Sequence, residues 1–478
     1  MAVLILSGFL LFFFFFNLNT QVHCFHDKAL LSLQKFQWTQ LKHGSKCPLQ
    51  KSRRERGATI LEMKQRDYCA GHIKNWDETL QKRLISDERR VQSLQTEIKN
   101  KLYGTEKIQD LATSQIPLNS GAKLETLNYI VTVELGGKPM TVIVDTGSDL
   151  TWVQCQPCTS CYSQQDPIFN PNTSYTYRTI MCNSTTCQSI SDATGNSGVC
   201  GGGTARPTCN YYVSYGDGSY TRGELALEYL NLSSIAVPDF IFGCGMNNKG
   251  LFGGASGIMG LGRSELSLVT QTSTTFDGIF SYCLPSTDTE SSGSLILGGN
   301  FSVFKNSTPV IYTSLVSNPD MSTFYILNLT GLSIGGVALQ ADGFSKGGIL
   351  IDSGTVITRL VPSVYRAVRT EFTKQFTGYP PAPPYSILDT CYNLTGLEEV
   401  GIPTMKLQFD ESVEMTVDVM GMFYFVKTDA SQVCLAIASL SYEDEIGIIG
   451  NYQQKNQRIV YDTKNSKLGF AKETCNFV

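Results

Sequence analysis

Two stretches of this 478-residue chain repeat a single pattern, Val142-Ile-Val-Asp145-Thr-Gly-Ser148 and Leu350-Ile-Asp352-Ser-Gly-Thr355, with their aspartates 207 positions apart. In each, an apolar run ends in aspartate, followed by a hydroxyl residue, a glycine and a second hydroxyl residue. Val142, Ile143 and Val144, like Ile349, Leu350 and Ile351, are continuous apolar runs of the kind that fill buried strands. Asp-Thr-Gly or Asp-Ser-Gly alone reads as an ordinary turn. Twice over, each after a buried strand, the pattern points to two related halves that build one carboxylate pair between them.

The rest of the chain fits a two-part β protein. Its length exceeds what one core usually supports. Forty-two per cent of residues are apolar, 43 are glycine, and long helical patterns are few, which suits short strands and tight turns. Residues 1–24 have the form of an export signal. Val3 to Phe16 is apolar throughout, shorter than the ~20-residue helix that spans a bilayer, and Val22 and Cys24 fit the positions before a cleavage site. No other segment has membrane length.

Twelve of the 15 cysteines lie between Cys155 and Cys475, an even number in the part expected to mature. Cys155-x-x-Cys158-x-x-Cys161 can be read as a metal or cluster site. The export signal favours disulfides instead. Sequons at Asn172, Asn183, Asn231, Asn300, Asn306, Asn328 and Asn393 are compatible with a glycoprotein of the secretory pathway.

Charge divides the chain. Residues 25–125 hold 19 Lys+Arg against 12 Asp+Glu, whereas residues 126–478 hold 19 against 30. The basic stretch is helix-patterned, with Leu84, Val91, Leu94, Ile98 and Leu102 on one face. It is a solvated helical face, a nucleic-acid patch or a removable prosegment. Interspersed acids dilute a phosphate-binding stripe, and the acidic body complements a prosegment. A boundary is expected between Ile116 and Leu127, and Cys47 could pair with Cys69 inside the leader.

All four histidines (His23, His26, His43, His72) precede the body. Ser-His-Asp and Cys-His catalysis are therefore excluded there, and the commonest catalytic-zinc ligand is missing. Two close carboxyls that share one proton can activate water and polarise a carbonyl together, because like charges resist joint ionisation. Aspartic proteases are the established example of that effect. Thr146, Ser148, Ser353 and Thr355 supply hydroxyls to hold the carboxylates, and Gly147 and Gly354 permit a tight turn. Gly257-Ile-Met-Gly-Leu-Gly262 and Ile446-Gly-Ile-Ile-Gly450 follow the two aspartates as matching apolar, glycine-ended segments. Tyr211-Tyr-Val-Ser-Tyr215-Gly216-Asp217-Gly218-Ser219 reads as a hairpin, either a plain surface hairpin or a lid that projects Tyr215 over a cleft. Pro362 to Phe376, with Tyr365, Val368, Phe372 and Phe376 on one face, is the clearest helix of the body.

Together these residues resemble the bilobal pepsin-like aspartic endopeptidases, and the cysteine pattern resembles their plant nepenthesin-like branch. The resemblance covers residues 126–478 and lacks the saposin-like insert of typical vacuolar members. It implies a mainly β, bilobal fold with two barrel-like lobes, at 126–308 and 309–478, behind a partly helical prosegment at 25–125. It implies Asp145 and Asp352 as the catalytic pair, Ser148 and Thr355 on their outer oxygens, and Tyr215 as flap tyrosine steadied by Trp152. It further implies the disulfides Cys155–Cys158, Cys161–Cys244, Cys182–Cys209, Cys187–Cys200, Cys283–Cys475 and Cys391–Cys434.

The expectation is a secreted or vacuolar monomeric zymogen that cuts internal peptide bonds in acid. Its partners would be polypeptides and its own prosegment, with no cofactor, metal, membrane or nucleic acid. The rival readings are a catalytically silent binding or inhibitor protein on the same fold and a nucleic-acid-binding relative.

Overall fold

The computed structural model describes residues 27–33, 49–65 and 76–103, and from 128 onward all but 202–206, 216, 217, 251, 287–291, 300, 305, 306, 345–347, 476 and 478. The export signal, the four histidines, the Cys47 and Cys69 pair, and the expected leader–body boundary lie outside the described residues, as do Gly216 and Asp217 of the hairpin tip.

The first aspartate strand forms as its sequence requires. Tyr129–Leu135 turns at Gly136 and Gly137 into Lys138–Asp145, with Ile130 opposite Ile143 and Leu135 opposite Lys138. The second strand is buried from Met140 to its end, which explains the unbroken apolar run before Asp145. Gly257–Gly260 lies parallel on its other flank, with Gly260 beside Asp145. The second half repeats the device: Ile349–Ile351 runs parallel to Gly447–Ile449. Both glycine-ended segments therefore do one job. They pin the strand whose tip carries the aspartate, through Leu261 N–H to Asp145 O at 2.8 Å and Asp352 N–H to Ile449 O at 3.1 Å.

The molecule is mainly β and bilobal, and a shared sheet joins the lobes. Ile279–Cys283 pairs antiparallel with Gly293–Leu297 on one side and with Gln457–Asp462, near the C-terminus, on the other. Lys467–Lys472 and Ile311–Ser314 extend the same sheet. The body helix Pro362–Gln375 begins on its proline, as first-turn geometry favours. It buries Tyr365, Val368 and Phe372, with Phe376 just beyond its end, so that stripe is core packing.

The leader is woven into this body. Lys28–Ser32 pairs with Glu399–Pro403. Ala58–Gln65 adds to the shared sheet against Gly293–Leu297 and also reaches the Tyr129 strand. Helix Trp76–Tyr103 carries Asp77 and Glu78 in its first turn and Lys101 in its last, charges that complement the helix dipole. Leu80 and Leu84 pack with Val356, Ile357 and Tyr424, and Val91, Leu94 and Ile98 join the main core. Five aliphatic side chains at about 1.5–3 kcal/mol each make burial the leading force that holds the helix down.

Four of the expected disulfides are corrected. Cys155 bonds Cys244, Cys158 bonds Cys161, Cys182 bonds Cys200 and Cys187 bonds Cys209. The reason for the first is sheet register. Trp152–Gln154 runs parallel to the long strand Ile235–Lys249 with Val153 beside Cys244, which brings the Cys155 and Cys244 Cα atoms to 5.3 Å, within bridging reach. Cys158 and Cys161 then close their own short turn. Cys283–Cys475 and Cys391–Cys434 pair as expected. With Cys155, Cys158 and Cys161 all oxidised, that triplet holds no free thiolates for a metal.

Candidate active site

The two aspartate loops meet face to face between the lobes. Asp145 Oδ1 accepts the N–H of Gly147 at 3.1 Å, and its Oδ2 accepts the Ser148 hydroxyl at 2.6 Å. Asp352 repeats this with the N–H of Gly354 at 2.9 Å and the Thr355 hydroxyl at 2.5 Å. Both carboxyls are buried. The glycines are required by close approach: a methyl on Gly147 would stand 2.8 Å from Asp352 Oδ1, and one on Gly354 would strike Asp145 Oδ1.

The four hydroxyls divide their work. Ser148 and Thr355 hold carboxylates. Thr146 and Ser353 instead join the two loops: Thr146 N–H donates to Ser353 Oγ at 3.1 Å, and Ser353 N–H donates to Thr146 Oγ1 at 2.9 Å. Ser353 Oγ also donates to Val144 O at 3.1 Å. Asn451 and Gln454 support the second loop from beneath through Ser353 O and Asp352 O.

Arg90 of the leader helix reaches both carboxylates. Its Nη2 lies 2.6 Å from Asp145 Oδ1 and 2.9 Å from Asp352 Oδ2, and its Nε donates to Asp352 Oδ2 at 3.0 Å. One nitrogen within reach of both carboxyls fixes them as a facing pair. One turn earlier, Asp87 accepts the N–H groups of Val356 at 2.6 Å and Ile357 at 3.2 Å. It also pairs with the buried Arg359 at 3.0 Å. Gln95 exchanges hydrogen bonds with the backbone of Ile446. Charge matching thus runs both ways: leader acids face body cations at Asp87–Arg359 and at Asp77–Lys427, beside the leader cation on body acids.

The hairpin Thr208–Ser214 with Tyr220–Leu232 arches over the same place. Tyr215 N–H donates to Ser219 O at 2.8 Å, and Trp152 Nε1 donates to the Tyr215 hydroxyl at 2.8 Å. Phe252 meets both rings edge-on, at 4.9 Å from Trp152 and 5.8 Å from Tyr215. Asp87, Arg90, Tyr215, Phe252, Gly354 and Val356 border a residual cavity of about 50 Å³, room for a few waters and not for a peptide.

Electrostatics follow from burial. Desolvation pushes the Asp145 carboxyl above its usual range; Arg90 opposes that, and the neighbouring Asp352 adds to it. The guanidinium of Arg90 is held charged by both aspartates against its own desolvation. Burial also raises the Tyr215 hydroxyl far above its usual value, so it stays a neutral donor.

Arg90, Asp87, Arg359 and Phe252 escape a sequence reading. One signal was present: the apolar stripe of the leader helix breaks between Leu84 and Val91, where Ser86, Asp87 and Arg90 stand. A buried face interrupted by charge marks a place where the helix meets polar partners.

The chain has extensive kin. A family described as "Xylanase inhibitor N-terminal" matches residues 129–299, and "Xylanase inhibitor C-terminal" matches 324–472. An aspartyl protease family protein of Arabidopsis thaliana is 42% identical over 396 residues, spanning 82% of this chain and 81% of its own. Aspartic proteinase nepenthesin-1 of Nepenthes gracilis is 36% identical, spanning 73% of this chain and 78% of its own. Among solved structures, basic 7S globulin from soybean aligns with a TM-score of 0.58 at 20% identity, covering 73% of this chain and 94% of the other, a likeness of fold.

Proposed function

This chain belongs to the pepsin-like aspartic protease family, in its nepenthesin-like plant branch, and from that we propose a secreted aspartic endopeptidase made as a zymogen. The supporting observation is the two-carboxylate clasp around Arg90 Nη2. A guanidinium nitrogen stands where a water would bridge the pair, and the leader helix fills the cleft.

Once the leader departs, the dyad shares one proton. The protonated member donates it to the carbonyl oxygen of the scissile peptide while the ionised member takes a proton from the water. The water oxygen bonds to the carbonyl carbon and a tetrahedral diol forms. The roles then exchange: the member that took the water's proton gives it to the amide nitrogen, the C–N bond breaks, and the other regains its proton as the carbonyl re-forms. Ser148 and Thr355 hold the outer oxygens, and Tyr215, tethered by Trp152, closes over the substrate. Singly protonated carboxyls call for acidic surroundings, such as the cell exterior or a vacuole. On this reading the protein is a monomer that needs no cofactor, and its partners are polypeptides and its own leader.

The test is to incubate the full chain with an unfolded protein from pH 2 to 8, with and without a statine-type inhibitor, and to sequence the fragments. Acid-dependent, statine-sensitive cleavage is expected. Silence at every pH with no statine binding would favour a binding protein on this fold.

A further inference from the structure

The group that Asp87 occupies belongs to the body, not to the leader. Val356 N–H, Ile357 N–H and Arg359 Nη2 converge on one carboxylate at 2.6, 3.2 and 3.0 Å. Glu88 touches the same Nη2 at 3.2 Å. Arg359 is buried and braced by donating Nη1 to Ile357 O at 2.8 Å, so the guanidinium is fixed before any carboxylate arrives. The donors follow directly on the loop that carries Asp352, and Asp87 and Arg90 border the same cavity as Tyr215. Take the helix away, and two backbone donors and Arg359 Nη2 lose their acceptor beside the dyad. Donors freed in that way take water or the acceptor of an incoming ligand in its place.

We infer that Val356 N–H, Ile357 N–H and Arg359 form a carboxylate-binding subsite of the mature cleft, which selects Asp or Glu in the substrate. Asp87 is then a mimic of that side chain, held by the leader beside the Arg90 plug. The inference rests on the zymogen reading. It also fixes a distance. Asp87 lies three residues from Arg90, about 4.5 Å along the helix axis, and an extended peptide covers that in one to two residues at ~3.3 Å each. The selected side chain therefore lies one or two residues from the bond that is cut.

The experiment uses the full chain matured in acid. It is given matched peptides that carry Glu, Gln or Lys at one of four positions on either side of a common cut. Values of kcat/KM are read at pH 5, where Glu is largely ionised, and at pH 3, where it is largely neutral. At a single position Glu should exceed Gln about tenfold at pH 5, with Lys lowest, and the Glu advantage should shrink at pH 3. Arg359→Gln should bring the Glu peptides down to their Gln counterparts, and Arg359→Lys should keep part of the preference. A folded Arg359→Gln enzyme that still prefers Glu would overturn the assignment. So would a wild-type profile equal for Glu and Gln at every position, which needs no variant to fold. Cleavage without that preference sinks the subsite alone; no cleavage of any peptide sinks the protease reading along with it.

Discussion

Thr146 and Ser353, 207 positions apart, each donate a backbone N–H to the other's hydroxyl oxygen, at 3.1 and 2.9 Å. This reciprocal grip joins two buried loops and sets how far apart the carboxyls stand. Ser353→Ala would leave the Thr146 N–H buried without its acceptor, at about 1–3 kcal/mol. It should also lower kcat/KM at least tenfold. Ser353→Thr keeps the oxygen, matches the residue in the first loop, and should restore most of the loss. Kinetics beside thermal melts of the three proteins check this, and equal activity for Ala and Thr would contradict it.

Asp145→Asn and Asp352→Asn preserve shape and remove one charge each from the pair. Each should abolish cleavage of an unfolded protein, to below about one part in a thousand, while circular dichroism stays native. Turnover retained in either would refute the dyad.

Arg90 binds both carboxyls, and its removal uncovers two buried charges. Losing one partner of such a buried network costs about 3–5 kcal/mol. The full-length Arg90→Gln chain should therefore hold its leader less tightly. At pH 7 it should bind a statine-type inhibitor roughly 100-fold more tightly than the wild-type chain. Calorimetry reads this directly, and unchanged affinity would mean that apolar packing alone keeps the helix in place.

The Tyr215 hydroxyl takes a hydrogen bond from Trp152. Tyr215→Phe keeps the ring against Phe252 and orphans the indole N–H. A single neutral hydrogen bond is worth about 1 kcal/mol. The matured variant should thus lose up to tenfold in kcat/KM, with little change in melting temperature. A large thermal loss with normal kinetics would assign this contact to packing instead.

Asp149 titrates where the dyad's chemistry does not use it. Buried, and held by the Ser264 N–H at 2.7 Å, its carboxyl is pushed by desolvation up to about 7. It binds its proton more tightly folded than unfolded. Its contribution to stability is therefore full below pH ~4 and is lost as pH rises through about 7, at roughly 1.4 kcal/mol per unit. Asp149→Asn keeps an acceptor and cannot ionise. It should raise the melting temperature of the full chain by a few degrees at pH 7.5 and leave it unchanged at pH 4. An equal change at both would remove Asp149 from the acid tolerance of this fold.

Legibility followed the range of the interaction. Gly147 N–H, Ser148 and Thr355 serve carboxyls two or three residues away, so the local motif announces them. Tyr215 stood out locally as a hairpin tip that was either plain surface or a lid, but its tie to Trp152 was legible only through family likeness, because nothing local links an indole to a hydroxyl 63 positions on. The division of labour among the four hydroxyls was not legible, since Thr146 and Ser353 find each other across the lobes.

Composition and spacing alone determined the β class, the two-fold plan, the absence of histidine chemistry and the pair of aspartates, because these depend on local pattern and on which side chains exist at all. Tertiary structure decided the rest. Cys155 meets Cys244 through the register of parallel strands, and Arg90 and Asp87 meet partners more than 260 positions away at Asp352 and Arg359. A bond or ion pair is made with whatever packing places within a few ångströms, and that neighbour is set by how whole sheets and a docked helix come together.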